Sequence, residues 1–527
     1  MQVSSLSPPA TPSTSPRGHL LQVWLVALIL LLATYMVSDA DRLRPGRVLG
    51  SVGLSIPGFG DARTPPDQAA ATTDRAAESS GAGAQERAPD PPAGPASRAP
   101  DARGANAAVT ATTTVTGAST AAAGASTPAV EPETRASPPP ALPQRPGIAQ
   151  AIEGAAHLTP FFEGLEKSQR QVTRVLHYGD STLAGDGIAK TVRLRMKERF
   201  GDGGAGFYVA GMDPRWMRRD DLRVTREGDW DIHTILFGGN NGRYGLGGVS
   251  ARPKGPGAVN VTASRKGGTL GRRIEIYSHL SRSEDALRVQ VNGQAAEGLQ
   301  RNRLERFDRW TLDTDEDISA LRLSVREPGL EIYGLVTEAS QGITWETAAV
   351  VGIATGSMRQ FNPEHLAAQT ATRSPHLIIL MLGGNETGHG GLASPEGRLY
   401  REAYLSALNT VRRGAPQAAC LIMAPLDQAF QGDDGRVRSK PVMGKMGQFQ
   451  REAAHPAGCA FWDSWSFMGG NGGFARWLSQ GMAWTDLVHL TEKGLSRIGE
   501  ALSDALMAEY ELWRQHGSGT DRIGASR

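Results

Sequence analysis

A chain of 527 residues has room for two to four domains, yet its 64 glycines and 32 prolines are half as many again as average usage supplies. With 39% hydrophobic and 21% charged residues spread unevenly, the composition implies folded domains joined to a stretch that buries no core. The balance of 56 basic against 54 acidic residues excludes nucleic-acid binding through a general basic surface, and two cysteines, Cys420 and Cys459, exclude a disulfide-rich scaffold and a Cys-based zinc cluster.

After a short tail, 1–19, the run LLQVWLVALILLLATYMV within 20–38 is apolar enough and long enough to cross a bilayer as a helix. Arg17 and His19 favour a cytoplasmic N-terminus, while Arg42, Arg44 and Arg47 on the far side weaken that signal. A cleaved signal peptide is the competing reading, because Ser38 and Ala40 are small residues where a signal peptidase reads. The run exceeds the usual h-region, so an uncleaved anchor is preferred; both readings export the remainder. The segment 39–147 is rich in Pro, Ala and Thr and poor in large apolar residues, so nothing offsets its ordering entropy, and a disordered linker is expected.

From 148 onward the pattern changes. VTRVLHY (172–178), HLIILML (376–382), CLIMAP (420–425) and GCAFWD (458–463) are apolar runs of strand length, as in a parallel sheet covered on both faces. Between them, GDGIAKTVRLRMKERF places Ile188, Val192, Met196 and Phe200 on one helical face. A later helix aligns Leu495, Ile498, Leu502, Leu506 and Tyr510. Alternating strands and helices predict a doubly wound α/β domain in two parts, 148–200 and 340–515, followed by a flexible tail, 516–527. Between the parts, 201–339 reads as antiparallel β: RRIEIYSHL, ALRVQV with the turn pair Asn292-Gly293, RWTLDT, ALRLSVRE and LEIYGLV alternate as the strands of a sandwich do. Trp216, Trp230 and Tyr244 are either exposed there as a platform for sugars or ordinary core residues.

Three strand ends carry chemistry. The first strand closes on Gly179-Asp180-Ser181, where open α/β sheets place their ligands. Another closes on Gly383-Gly384-Asn385, whose side-chain amide is a fixed donor for a developing oxyanion. The third, Asp486-Leu487-Val488-His489, sets an acid three residues before a histidine. A serine hydroxyl needs a neutral imidazole to take its proton, and a carboxylate on the other ring nitrogen fixes the tautomer. Taken singly, each motif is also an ordinary turn or cap. Elsewhere, His177 and His389 are candidates to touch a substrate, although ordinary structural roles are preferred. No metal-ligand spacing and no phosphate or dinucleotide loop is present, so no cofactor is expected. Cys420 and Cys459 each open a predicted strand, which leaves a disulfide and two buried thiols as open alternatives.

The order Ser, Asn, Asp, His across these strand ends resembles the SGNH/GDSL hydrolase superfamily, with Ser181, Asn385 and the Asp486–His489 segment at its blocks. The resemblance covers 172–201 and 342 to the C-terminus. It implies a flavodoxin-like doubly wound sheet with the antiparallel β-sandwich inserted, Gly356 (or Gly352) as the second-block glycine, and the triad Ser181, Asp486 and His489. The implied oxyanion hole comprises the Ser181 and Gly356 N–H groups and the Asn385 side chain. Two departures, Glu386 in place of the usual Asp and Thr182 in place of Leu, argue against the lipase branch. The run from Ala460 to Gly494 is similar to bacterial envelope O-acetylesterases with a carbohydrate-binding-like insert. The expectation is therefore a serine esterase acting on O-acyl, chiefly O-acetyl, groups of an envelope polysaccharide or peptidoglycan. It would sit at a bacterial inner membrane through its single anchor with the catalytic domain in the periplasm or outside, or be secreted after cleavage. An O-acetyltransferase using the same triad and a non-catalytic glycan-binding protein are the alternatives.

Overall fold

The computed structural model describes residues 150–210, 217–264, 269–386 and 397–524. The expected anchor and linker, and with them Trp216 and His389, lie outside the described residues. Among the described residues no helix is long and apolar enough to cross a membrane.

The centre is a six-stranded sheet made of β1 (Ile152–Glu153), β2 (Val172–Gly179), β3 (Gly342–Ala349), β4 (Leu377–Met381), β5 (Ala419–Met423) and β6 (Ala460–Trp462). Their order is β1-β6-β5-β4-β2-β3, parallel throughout except for β1, which pairs antiparallel with β6. Without β1, this is the flavodoxin-like doubly wound order, whose chain reverses direction across the sheet beside β2. Every residue of β4 and β5 is buried, because helices cover both faces. Alternate residues of β2 serve opposite cores: Val175 faces one, and Leu176 and Tyr178 face the other.

On the first face lie α1 (Thr159–Glu166), α3 (Gly187–Phe200), α8 (Gly473–Ser479), which follows the single turn α7 (Ser464–Phe467), and α9 (Glu492–Gly524). The four apolar positions of α3 named from the sequence are all buried, as are Ile498, Leu502, Leu506 and Tyr510 of α9. These two helices approach so closely that a Cβ at Gly499 would sit 2.7 Å from Thr191 and 2.8 Å from the Ile188 carbonyl oxygen, so only glycine fits there. The backbone of α9 stays helical through Gly524, into the segment expected as a tail. Extending an existing helix gains one hydrogen bond per residue fixed, which favours continuation past the packed part. The other face carries α4 (Pro363–Arg373), α5 (Arg398–Arg412) and α6 (Val442–Ala454).

Between α3 and β3 the chain builds two antiparallel sheets. One contains Leu222–Glu227, Gly257–Ala263, Leu287–Val291, Gln294–Ala295 and Ala320–Val325. The other contains Trp230–Thr234, Val249–Pro253, Arg273–Ser278, Gln300–Arg303, Asp308–Asp313 and Ile332–Glu338, with Gly206–Tyr208 added beside the last. Inward residues such as Leu321, Leu323, Val259, Val261, Ile274 and Ile276 form their shared core. The turn at Asn292-Gly293 has φ of 52° and 86°, the left-handed pair that a two-residue hairpin requires. Trp230 and Tyr244, the two described candidates for an exposed platform, are instead buried: Trp230 belongs to the insert's own core, and Tyr244 packs edge-on against Phe361. Large rings bury more area than any other side chain, and both found a covered face.

The insert is fused to the α/β domain. Its Phe207, Tyr277, Phe307 and Tyr333 join the same apolar cluster as β2, α4 and α5. At this junction the buried Arg373 on α4 donates to Glu346 on β3 and to Glu338 at the end of the insert, and Arg174 on β2 also pairs with Glu338 at 2.8 Å. Burial pushes the Glu338 carboxyl up, but the two guanidiniums overcome this and hold it at about 2. Cys420 on β5 and Cys459, just before β6, form a disulfide, because their strands are neighbours.

Candidate active site

Strand β2 ends at Gly179 and the chain turns at once into the short helix α2 (Ser181–Ala184), whose N-cap is Asp180. The Asp180 carboxylate accepts the Thr182 N–H at 2.9 Å, and its carbonyl accepts those of Leu183 and Ala184. This cap fixes Ser181 at the carboxyl end of β2, in the crevice at the sheet's switch point.

The partner comes from the far end of the sequence. Ala483 bridges Leu490 in an antiparallel pair, and Trp484 donates its N–H to the His489 carbonyl at 2.8 Å, closing a tight loop. Within it, one Asp486 oxygen accepts the N–H groups of Val488 and His489, each at 2.9 Å. The other lies 2.7 Å from His489 Nδ1. His489 Nε2 stands 3.0 Å from Ser181 Oγ. Leu487 takes a φ of 62° to make the loop close.

The electrostatics assign the protons. Burial pushes the Asp486 carboxyl up, but hydrogen bonds from the His489 ring and from two backbone N–H groups outweigh it and hold the carboxyl below its ordinary value. An ionised carboxylate only accepts, so His489 Nδ1 carries the hydrogen and Nε2 presents its lone pair to the serine hydroxyl. The bond to Asp486 lifts the His489 pKa above 6.5, against the opposing effect of burial. The side chains of His489 and Asp486 are 43% and 38% exposed, so the three groups open to solvent.

Asn385 follows β4 and reaches the same place: its amide donates to the Ile353 carbonyl at 2.8 Å and stands 3.5 Å from Asp180. Ile353 lies in the loop from β3 to α4 that holds Gly352 and Gly356. Gly352 is exposed with a φ of 82°, and Gly356 sits in the 3-10 turn Thr355–Gln360. Among the described residues, the backbone N–H groups of Ser181 and Gly356 donate to nothing, whereas that of Thr355 is taken by Glu386. The structure thus brings Ser181, His489, Asp486 and Asn385 together, with the loop of Gly352 and Gly356 alongside.

His177 is not part of this assembly. It is fully buried on β2, accepts the Trp345 indole N–H at 3.4 Å, and burial pushes its pKa down to about 3. Two residues gain weight that motif reading does not assign them. Asp180 caps α2, contacts Asn385 and, buried itself, has its carboxyl pushed up by desolvation against the hydrogen bonds from Thr182. Glu386, the departure from the usual Asp, ties the β3–α4 loop to the end of β4; burial raises its pKa while its bonds with Thr355 lower it.

Residues 328–496 match the model of the GDSL-like Lipase/Acylhydrolase family. The α/β domain has the fold of SGNH/GDSL hydrolases. The chain is similar in fold to a peptidoglycan O-acetylesterase at 24% identity and a TM-score of 0.57, a match covering 68% of this chain and 98% of that one. An acetyl xylan esterase also matches at 15% identity and a TM-score of 0.23, over 31% of this chain and 81% of its own. A carbohydrate esterase family 3 protein from Talaromyces cellulolyticus matches at 15% identity and a TM-score of 0.23, over 33% and 75%. A search of curated protein sequences returns no match. In chain order the α/β domain supplies Ser181 from the end of its first parallel strand, Asn385 from the third, and Asp486 and His489 from the loop before its last helix.

Proposed function

We propose that this protein is a serine esterase that removes O-acetyl groups from a cell-envelope polysaccharide or peptidoglycan through an acyl-serine intermediate. The observation that carries this reading is the continuous hydrogen-bonded chain from Ser181 Oγ through His489 to Asp486 at the switch point of the sheet. Ser181 Oγ attacks the ester carbonyl while His489 Nε2 takes its proton, and Asp486 stabilises the imidazolium that forms. The tetrahedral oxyanion is held by the Ser181 and Gly356 N–H groups and by the Asn385 amide, which turns from its resting contacts towards the new charge. The imidazolium then protonates the departing sugar oxygen. Water, deprotonated by the same histidine, attacks the acyl-serine and releases acetate.

The half-exposed triad suits a substrate too large to be engulfed, and the similarity in fold to a peptidoglycan O-acetylesterase is consistent with an acetylated glycan. The same reading places the enzyme outside the cytoplasm, anchored by 20–38; the disulfide supports an oxidising compartment. The test is acetate release by the full chain from p-nitrophenyl acetate and from O-acetylated peptidoglycan, with Ser181→Ala as control. Release that depends on Ser181 and needs only water supports the proposal. Transfer of acetyl to an added acceptor glycan without net release would assign an acetyltransferase, and inactivity on every ester would overturn the catalytic reading.

A further inference from the structure

Three aromatic rings stand exposed among the described residues: Phe237 at 86%, Trp484 at 57% and Phe430 at 41%. The other exposed large apolar side chains among the described residues are leucines on α3 and α5. Trp484 lies in the loop that carries Asp486 and His489, Phe237 in a turn of the insert, and Phe430 on the short strand Ala429–Gln431.

Trp484 is fixed beside the catalytic histidine by strand geometry. Ala483 and Leu490 bridge each other and both are buried, so the next opposed pair, Trp484 and His489, projects together to the outer face. Side chains of directly opposed residues have their Cβ atoms about 5 Å apart. Phe430 follows Ala429, whose N–H donates at 2.8 Å to the carbonyl of Leu487, the residue after Asp486. Phe237 approaches from the insert. Its neighbour Leu236 lies 3.7 Å from where a Cβ on Gly352 would be, and Gly238 meets Gln360. That loop is joined to Asn385 through Ile353. The turn that carries Phe237 therefore meets the site on the Asn385 side, and the segments that carry Trp484 and Phe430 meet it on the His489 side.

A lone aromatic ring in water, set among polar neighbours, matches the C–H face of a pyranose better than it matches a lipid surface, which calls for a contiguous apolar patch. The neighbours here are polar: Thr485 and Asp486 follow Trp484, and Phe430 sits beside Gln431 and opposite Arg438. We infer that Trp484, Phe430 and Phe237 form the surface on which sugar rings of the acylated polymer stack, with Trp484 holding the residue that presents the ester to Ser181. This rests on the esterase reading and names the contacts that make it specific for a glycan.

The experiment compares Trp484→Ala, Phe237→Ala and Trp484→Phe with wild type on p-nitrophenyl acetate and on O-acetylated peptidoglycan, in the full chain. The expected result is a fall of about tenfold, for each alanine variant, in the ratio of kcat/KM on the polymer to that on the small ester, carried by KM, with Trp484→Phe restoring most of it. An equal loss on both substrates would make Trp484 a support for His489 alone and overturn the proposal, as would an unchanged ratio. A second readout needs no catalysis: in a Ser181→Ala background, chitooligosaccharide binding followed by tryptophan fluorescence should weaken about tenfold with Phe237→Ala. Undiminished binding would overturn the surface even if wild type releases acetate, whereas loss of binding in a chain that hydrolyses no ester would uphold the surface and remove the esterase reading.

Discussion

Replacing Asp486 with Asn isolates what the carboxylate contributes. Asn keeps an oxygen for the Val488 and His489 N–H groups, so the loop closed by those 2.9 Å bonds is retained. What changes is the 2.7 Å contact to His489 Nδ1. In the transition state a full positive charge forms there. Two unit charges at that separation, with an effective dielectric constant of about 40 for a site more than a third exposed, interact by about 3 kcal/mol, or a factor of about 10² in rate. A second loss adds to the first. An amide N–H facing Nδ1 favours the tautomer with its proton on Nε2, which cannot accept from Ser181, and this brings the total towards about 10⁴. The assay is kcat/KM for p-nitrophenyl acetate from pH 5 to 9, with circular dichroism to confirm the fold. Because the bond to Asp486 raises the His489 pKa and catalysis needs the neutral ring, wild-type activity should rise with pH through a midpoint above 6.5. In Asp486→Asn the midpoint should move down while the plateau falls by 10² to 10⁴. A plateau within threefold of wild type, or an unmoved midpoint, would refute the assignment.

Asn385→Ala should lower kcat on the same ester by about 10²–10³ with little change in KM, measured by steady-state kinetics, because the amide acts on the oxyanion and not on the ground state. Replacing both Cys420 and Cys459 with Ala opens a loop of 39 residues and should cost about 4 kcal/mol, read as a lower denaturant midpoint that reductant reproduces in wild type. Arg373→Met leaves Glu346 and Glu338 buried with one cation fewer, and should cost about 3–5 kcal/mol in chemical denaturation. Adding Glu346→Gln to that variant should recover part of the loss, since a buried uncompensated charge is then removed.

The parallel strands that are pure apolar runs were legible in the sequence because burial on both faces leaves no room for polar residues. Strand β3 was not. GITWETAA carries Glu346 and two threonines, which read as exposed, yet all eight residues are buried. The reason is tertiary: Arg373, from a helix 27 residues further on, neutralises Glu346 inside the junction. Strand β1 is two residues long and takes its identity only from pairing with β6. The insert's strands were readable from their alternation, but not which of its aromatic rings face outward. Alternation fixes two faces and leaves open what covers them, so Trp230 and Tyr244 went inside and Phe237, in a turn that runs into Gly238 and Gly239, stayed out.

For the candidate site, the sequence by itself picked out a hydroxyl, an imidazole and a carboxylate at strand ends, groups that have few other uses in combination. It also determined one local relation: the Asp486-to-His489 spacing lets a single loop hold the acid against the base. Only the tertiary structure decided that Ser181, 308 residues from His489, lies 3.0 Å from it, because that distance depends on strand order and on the packing of α9 against α3. It alone also set Trp484 on the same face as His489, through a bridge between Ala483 and Leu490 whose buried side chains turn the other two outward. Chemistry is written in residue type and short spacing, whereas proximity and exposure are properties of what the rest of the chain places alongside.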